Sequence, residues 1–251
     1  MNALRGKIAV VTGGNSGIGY STAKELASRG ATVIITGRNR AAVEAAAAEL
    51  KVRGIVADQS SLTDTDALVA AVKEAYGKVD ILFVNAGVGF FVPIEQATED
   101  HYDQIMNVNF KGVYFTLSKF LPILADGAAV TFNSSINATL AMPGSAVYSA
   151  SKAALNSLVR VAAAELAHRS IRVNAVSPGP IQTPILTKTG MDESTLASVK
   201  TNLGGKIPLK RFGDSEEVAR LVAFLSGPDG AFITGSDYVI DGGLNLNAVA
   251  I

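Results

Sequence analysis

Cysteine is absent from the 251 residues, and so is tryptophan. Without a thiol there is no cysteine nucleophile, no disulfide framework and no thiolate-bound zinc or iron–sulfur centre. Histidine is nearly missing too. His101 and His168 stand far apart and make no metal-ligand spacing, so no metal site is expected. Net charge is also lacking, with 22 basic residues against 22 acidic ones. Such a chain has no field to draw in a polyanion, so neither nucleic acid nor a membrane surface is an expected partner. No long apolar run occurs near the start: Ile8–Val11 ends at Thr12-Gly13, too short for a signal peptide or a membrane span, and a cytoplasmic protein is expected.

What is present is apolar and well ordered along the chain. Hydrophobic residues make up 48% and charged residues 18%, the balance of a globular protein able to bury a substantial core. Short, mostly β-branched runs at Ile8–Val11, Val33–Ile35, Ile55–Ala57, Ile81–Val84, Ala128–Phe132, Val173–Val176 and Tyr238–Ile240 read as buried strands. Helix-favouring segments lie between them, among them Gly17–Ser28, Ala41–Leu50, Asp64–Tyr76 and Ser145–His168. This alternation predicts an α/β fold: a doubly wound parallel sheet of about seven strands with helices on both faces, in a single domain spanning 1–251. One connection stands out. Residues 182–213 hold no clear strand, and only Asp192–Asn202 reads as a helix. Connections this long are usually functional, and this one follows a strand end, where α/β ligand sites form.

The first strand leads into Thr12-Gly13-Gly14-Asn15-Ser16-Gly17-Ile18-Gly19 and then a helix. Glycines let the backbone turn tightly and approach a pyrophosphate, while the helix start offers free N–H groups and a positive dipole end. A strand before and a helix after favour a dinucleotide site over a plain tight turn. The second strand ends in Thr36-Gly37-Arg38-Asn39-Arg40. An NAD site normally places an acid here to bind the ribose 2′-hydroxyl, yet none lies between Ala31 and Val43. Arg38 suits a 2′-phosphate instead. NADP(H) is therefore the expected cofactor, with NAD(H) the alternative, and Arg40 reads as a solvated helix-start charge.

Tyr148 and Lys152 are spaced i, i+4, which puts them on one helix face. A free tyrosine has a pKa of about 10, and a neighbouring ammonium favours the phenolate. The pair is a sensible proton donor to a carbonyl undergoing reduction. The spacing alone arises often by chance. Its place after a strand ending in Asn133-Ser134-Ser135, whose hydroxyls can reach the same oxygen, gives it weight.

Six motifs occur in order: Thr12-Gly13-x-x-x-Gly17-x-Gly19, Asn85-Ala86-Gly87, Asn109-x-x-Gly112, Ser135, Tyr148-x-x-x-Lys152 and Pro178-Gly179. On these the chain resembles the short-chain dehydrogenases/reductases over essentially its whole length, as far as Asp241-Gly242-Gly243. The resemblance implies a Rossmann-like fold and a catalytic set of Asn109, Ser135, Tyr148 and Lys152. In that set Ser135, rather than Ser134, polarises the substrate carbonyl. Tyr148 exchanges the proton, and Lys152 lowers the tyrosine pKa and holds the nicotinamide ribose. Asn109 bends its helix and holds a water that links Lys152 to solvent. Cofactor contacts are implied at Gly13, Asn15, Ser16, Gly17, Ile18 and Gly19, then at Arg38 and Asn39. Further contacts are implied at Asp58 and Gln59, at Asn85, Ala86 and Gly87, and at Pro178, Gly179, Ile181 and Thr183, besides Tyr148 and Lys152. Asp58 reads equally well as a turn or helix-capping residue. Val84 departs from the family, which commonly has asparagine there.

Motif neighbours place Val88, Gly89, Phe90, Phe91, Ile136, Asn137 and Met142 near the nicotinamide, with Ile185, Leu186, Met191 and Leu196 from the long segment. None is charged. The expected substrate contacts are Phe90, Ser135, Ile136, Asn137, Met142, Tyr148 and Ile185. A pocket of this kind binds by apolar burial, so a small neutral ketone or secondary alcohol is the expected partner. Lys188 is the nearest cation for an anionic one. Residues 182–213 are expected to close as a lid. Two alternatives stand beside this reading. One is a 3-oxoacyl thioester reductase, whose acidic carrier partner would want a basic rim that Leu121–Gly127 does not offer. The other is a non-catalytic nucleotide-binding regulator of the same fold, which would be expected to lack the tyrosine or the lysine. Apolar character beyond one face around Val108–Phe120, the Ala- and Ser-rich Ser145–His168 and the tail Tyr238–Ile251 point to association. The family commonly forms tetramers with two-fold interfaces, so a homotetramer is expected.

Overall fold

A computed structural model describes residues 3–183 and 202–246. Its strands are β1 (Ile8–Val11), β2 (Thr32–Gly37), β3 (Arg53–Val56), β4 (Val79–Val84), β5 (Leu124–Asn133), β6 (Arg172–Pro178), β7 (Ile181–Gln182), β8 (Gly213–Asp214) and β9 (Asp237–Ile240). Seven of them form one sheet in the order β3-β2-β1-β4-β5-β6-β9, with every neighbouring pair parallel. The helices are α1 (Gly17–Ser28), α2 (Arg40–Leu50), α3 (Leu62–Tyr76), α4 (Glu99–Met106), α5 (Gly112–Phe120), α6 (Ala146–Leu166) and α7 (Ser215–Ser226).

Successive strand residues point to opposite faces, and here both faces are apolar. Val10, Ile34, Leu82 and Val130 join a core with Leu68 and Val72 of α3, Val113 of α5 and Leu155 and Val159 of α6. Their chain neighbours Val11, Ile35 and Phe83, with Val176, join a second core with Ala23 and Leu26 of α1 and Val218 and Val222 of α7. That two-sided burial is why the runs show no polar alternation. The result is the doubly wound Rossmann-like α/β fold. The strand order reverses between β1 and β4, and at such a switch point a crevice opens beyond the carboxyl ends of the strands.

Several boundaries differ from expectation. β3 starts at the polar Arg53 rather than Ile55, since it is an edge strand and its register pairs Arg53 with Ile34. α3 starts two residues early because Ser61 caps it, accepting from the Asp64 N–H. The helix expected around Val108–Phe120 is interrupted by a π-helical turn at Asn107–Lys111. The long connection is not strand-free at its ends: β7 and β8 pair in parallel and close it like a clip. Ile185, Leu186, Lys188, Met191 and Leu196 lie outside the described residues, as do the expected helix from Asp192 (all but Asn202) and the tail beyond Leu246. Among the described residues no helix is long and apolar enough to cross a membrane.

Candidate active site

The carboxyl ends of the strands open into a cleft of about 440 Å³. At one end lies the glycine turn. Gly13 and Gly17 take φ of +64° and +53°, left-handed values that other residues rarely adopt. A Cβ on Gly13 would stand 2.9 Å from Ala86 Cα, so the turn closes directly against the end of β4. Ser16 makes no side-chain cap on α1, and the first turn of α1 carries no acid. By contrast Asn39, Ser61 and Thr98 cap α2, α3 and α4. The first N–H groups of α1 are thus left without side-chain partners beside the cleft, where they suit a pyrophosphate. The residues present fit a bound dinucleotide.

Of the expected cofactor contacts, all but Gly19 line this cleft. Their side chains are not all turned to it. Asn39 Oδ1 accepts from Ala42 N–H at 2.9 Å and so serves α2. The Gln59 side chain is used by protein: Oε1 accepts from the Thr12 hydroxyl at 2.9 Å, and Nε2 donates to Ala86 O at 2.7 Å and Val108 O at 3.0 Å. Asp58 lines the cleft and closes its own turn, its Oδ1 accepting from Ser60 N–H at 2.8 Å and Ser60 Oγ at 2.7 Å. Arg38 is exposed at the rim and makes no ion pair among the described residues, while Arg40 pairs with Glu44 at 3.5 Å in solvent. A Cβ on Gly37 would collide with Asn15 Oδ1 and lie 3.0 Å from Val43 Cγ2, so an acid at position 37 has no room unless Asn15 moves.

At the other end, β5 delivers Ser134 and Ser135, and α6 delivers Tyr148 and Lys152. The serines diverge. Ser134 Oγ donates to Lys152 O at 3.4 Å, whereas Ser135 Oγ accepts from Asn137 N–H at 3.2 Å and lines the cleft beside Tyr148. Burial pushes the Tyr148 phenol above its ordinary value, and the nearby Ser135 hydroxyl pulls it partly back. Lys152 is 4% exposed, and Nζ donates to Asn133 O at 2.7 Å. Burial pushes its ammonium down to about 8. The expected lowering of the tyrosine by the lysine is therefore not the ruling effect. Nζ stands 5.7 Å from the Tyr148 ring centroid, and loss of water around the phenol outweighs it.

Asn109 is fully buried in the π-helical turn. Its Oδ1 accepts from Val88 N–H at 2.9 Å, and its Nδ2 donates to Val88 O at 2.8 Å and Ser151 Oγ at 3.3 Å. The amide therefore grips the loop after β4. Ser151 Oγ in turn donates to Tyr148 O at 2.7 Å. Of the expected substrate contacts, Phe90 and Met142 are 43% and 40% exposed, but Ile136 is only 4% exposed and is spent on packing. Asn137 is buried, with its amide toward Met142 Sδ at 3.9 Å. Phe91 meets Tyr148 edge-on, with ring centroids 5.5 Å apart. Val92 N–H donates to Gly144 O at 2.9 Å, joining this loop to the one before α6.

Sequence reasoning missed Thr12 and Asn133. The Thr12 hydroxyl accepts from Asn85 N–H at 2.9 Å and Ala86 N–H at 3.0 Å, tying β1 to β4. Asn133 holds Lys152 by its carbonyl and donates to Asn85 Oδ1 at 2.9 Å. The available signal was a polar residue at the end of an apolar strand.

A family model described as enoyl-(acyl carrier protein) reductase matches residues 13–245. A tropinone reductase homolog from Datura stramonium is 37% identical over 253 residues, covering 98% of this chain and 94% of that one. A solved short chain dehydrogenase from Burkholderia cenocepacia, in complex with NADP, is 33% identical over 97% of this chain and 100% of its own, with a TM-score of 0.88. A 3-ketoacyl-(acyl-carrier-protein) reductase from Brucella melitensis, complexed with NADH, is 33% identical over 96% of this chain and 99% of its own, also with a TM-score of 0.88. Likeness of this degree, over nearly the full length of both partners, makes the chain an oxidoreductase of the short-chain dehydrogenase/reductase family.

Proposed function

We propose that the chain is an NADP(H)-dependent enzyme that interconverts a ketone and a secondary alcohol, with Tyr148 as general acid and base. The observation that carries this reading is the Ser135–Tyr148–Lys152 group at one end of a cleft whose other end is the glycine turn. When bound, the nicotinamide supplies the hydride in reduction and takes it up in oxidation. Ser135 and Tyr148, both on the lining of the cleft, present two hydroxyls to one carbonyl oxygen. Burial keeps Tyr148 protonated, as a donor must be, and it gives its proton to the oxygen as the carbonyl is reduced. Lys152, charged below a pH of about 8, then faces the phenolate and offsets its charge. Asn109 takes no part in proton transfer through its side chain; it holds Val88 in place along the cleft.

The preference for NADP(H) rests on Arg38, exposed at the rim and in no ion pair among the described residues, and on the lack of room for an acid at Gly37 while Asn15 stays in place. NAD(H) remains the alternative, given a relative complexed with NADH. Phe91 stands edge-on to Tyr148, and Phe90 and Met142 are uncharged and partly exposed on the two loops that the Val92–Gly144 bond joins, which favours a small neutral apolar substrate. A 3-oxoacyl thioester reductase is the second reading, favoured by the name of the Brucella relative. Residues 182–213 act as a substrate lid within a single domain, hung from the β7–β8 clip. A homotetramer is supported by Tyr102, Tyr114 and Val161, exposed on α4, α5 and α6, and by Val239, exposed on the edge strand β9.

The test follows NADPH absorbance with neutral ketones and with anionic ketones of matched size. Tyr148→Phe is expected to lose nearly all turnover while NADPH binding is retained. A variant that keeps a sizeable share of the rate, or a clear preference for the anionic ketone, overturns the reading.

A further inference from the structure

Gln59 follows β3 on the wall of the cleft; it is buried, and both polar atoms of its side chain are bonded to protein. The two protons of its amide go to different places. One is donated to Ala86 O, in the loop after β4, and the other to Val108 O, in the π-helical turn. Those two segments also meet directly, where Asn109 grips both main-chain polar atoms of Val88. Gln59 thus ties together, from below, the two partners of that grip. Its Oε1 accepts from Thr12, which itself receives the N–H groups of Asn85 and Ala86. The loop so held adjoins the chemistry: a Cβ on Gly87 would lie 3.3 Å from Asn109 Oδ1 and 3.7 Å from Lys152 Nζ.

We propose that Gln59 is a positioning residue, fixing the Asn109-bearing π-helical turn against the Ala86–Val88 loop and so setting the geometry around Lys152 and Tyr148. The inference rests on the reductase reading above. A π-helical turn is a rare and strained form of helix that needs support from its surroundings. A donor at Val108 O supplies that support one residue from Asn109. No other side chain supplies the same three bonds. Leucine and methionine cannot donate, asparagine is one methylene shorter, and an ionised glutamate can only accept. The backbone of Gln59 is just as close, for a Cβ on Gly112 would collide with Gln59 O.

The experiment compares the full chain with Q59L and Q59E, using NADPH and acetophenone as probes. Binding of NADPH is read by fluorescence titration, and hydrogen exchange is read over residues 107–112 and 85–88. Q59L is expected to keep its NADPH affinity within about threefold while kcat falls roughly ten- to hundredfold, the scale of a small misplacement of catalytic groups. Exchange over both segments should quicken. In Q59E, burial and two facing carbonyls favour the protonated acid, which can donate one bond. Its kcat should therefore rise as pH falls, along a limb absent from the wild-type profile. This profile carries the test if Q59L does not fold. The inference is overturned by a Q59L kcat within twofold of wild type. An equal loss of NADPH affinity overturns it too, since that would make Gln59 a cofactor ligand, and so does a Q59E profile parallel to wild type. If the wild type oxidises no NADPH with the ketone, the reductase reading fails instead. Unchanged exchange over 107–112 in Q59L would sink the positioning role by itself.

Discussion

Replacing Lys152 by methionine should change how the stability of the protein depends on pH. Lys152 is almost wholly buried, and burial brings its ammonium from an ordinary 10.5 down to about 8. Below pH 8 the group is charged in both the folded and the unfolded chain, and the native state bears the cost of a buried charge. Between about 8 and 10.5 the native state has released the proton while the unfolded chain still holds it. Unfolding then takes up a proton, so the free energy of unfolding rises with pH, by about 1.4 kcal/mol for each pH unit. Above 10.5 both states are neutral and the rise ends. Across the window the gain is on the order of 3 kcal/mol. Lys152→Met keeps an apolar stem of similar length and has nothing to titrate. The stability of wild type minus that of Lys152→Met should therefore climb by up to about 3 kcal/mol from pH 7.5 to 10.5, most of it above pH 8. Titrating groups away from Lys152 cancel in the difference. Urea unfolding of both proteins, at one concentration and without dinucleotide, measures it. A difference that stays flat, or falls with rising pH, refutes the reasoning.

The two serines after β5 should separate cleanly. Ser135→Ala is expected to lower kcat about a hundredfold, and Ser134→Ala, which loses only a bond to Lys152 O, by less than a few-fold, both read by NADPH oxidation. Arg38→Leu should weaken NADPH binding roughly tenfold or more and leave NADH nearly unchanged, since only a 2′-phosphate would pair with it. Titration of both cofactors checks this, and equal affinities in the unaltered protein would count against it. Gly37→Asp should not by itself bring in NADH, because its Cβ meets Asn15; pairing it with Asn15→Gly makes the room. Light scattering at micromolar concentration should give the mass of a homotetramer, and a monomeric mass would remove the case built on Tyr114, Val161 and Val239.

The sheet could be read from the chain because each central strand is apolar on both sides, so Val10 and Val11, or Ile34 and Ile35, announce a buried strand without any partner in view. The edge was harder. Arg53-Gly54 carries no such signal, and its strand character comes only from pairing with Ile34 and Ile35. β7 and β8 are two residues each and exist through each other. The cleft lining was legible because motifs sit at strand ends. Which way each side chain turns was not always: Gln59 lies at the cleft but is held by Thr12, Ala86 and Val108, neighbours that no spacing rule names. The π-helical turn was hidden for a similar reason, since its fit depends on Val88, Ser151 and Gln59, all remote in sequence. The tyrosine environment went furthest astray. The i, i+4 lysine was visible, whereas the burial that governs the phenol belongs to the folded surroundings.

The β7–β8 clip has a bearing on how such a protein could be re-engineered or diversify. It brings the two ends of the long connection side by side, with Ile181 opposite Gly213 and Gln182 opposite Asp214. Two residues before β8, Arg211 pairs in bidentate fashion with Glu217 on α7, at 2.7 Å for each bond. The ends of the connection are thus held by the clip, by Arg211 and by Leu209, whose N–H donates to Gly242 O at 3.2 Å. Closing a loop costs little more as it lengthens, only about 0.6 kcal/mol for each doubling. The stretch between the clip and the buried Ile207 can accordingly be exchanged for another of different length as one cassette, leaving the sheet and the glycine turn as they are; on the lid reading proposed above, such an exchange alters what meets Tyr148.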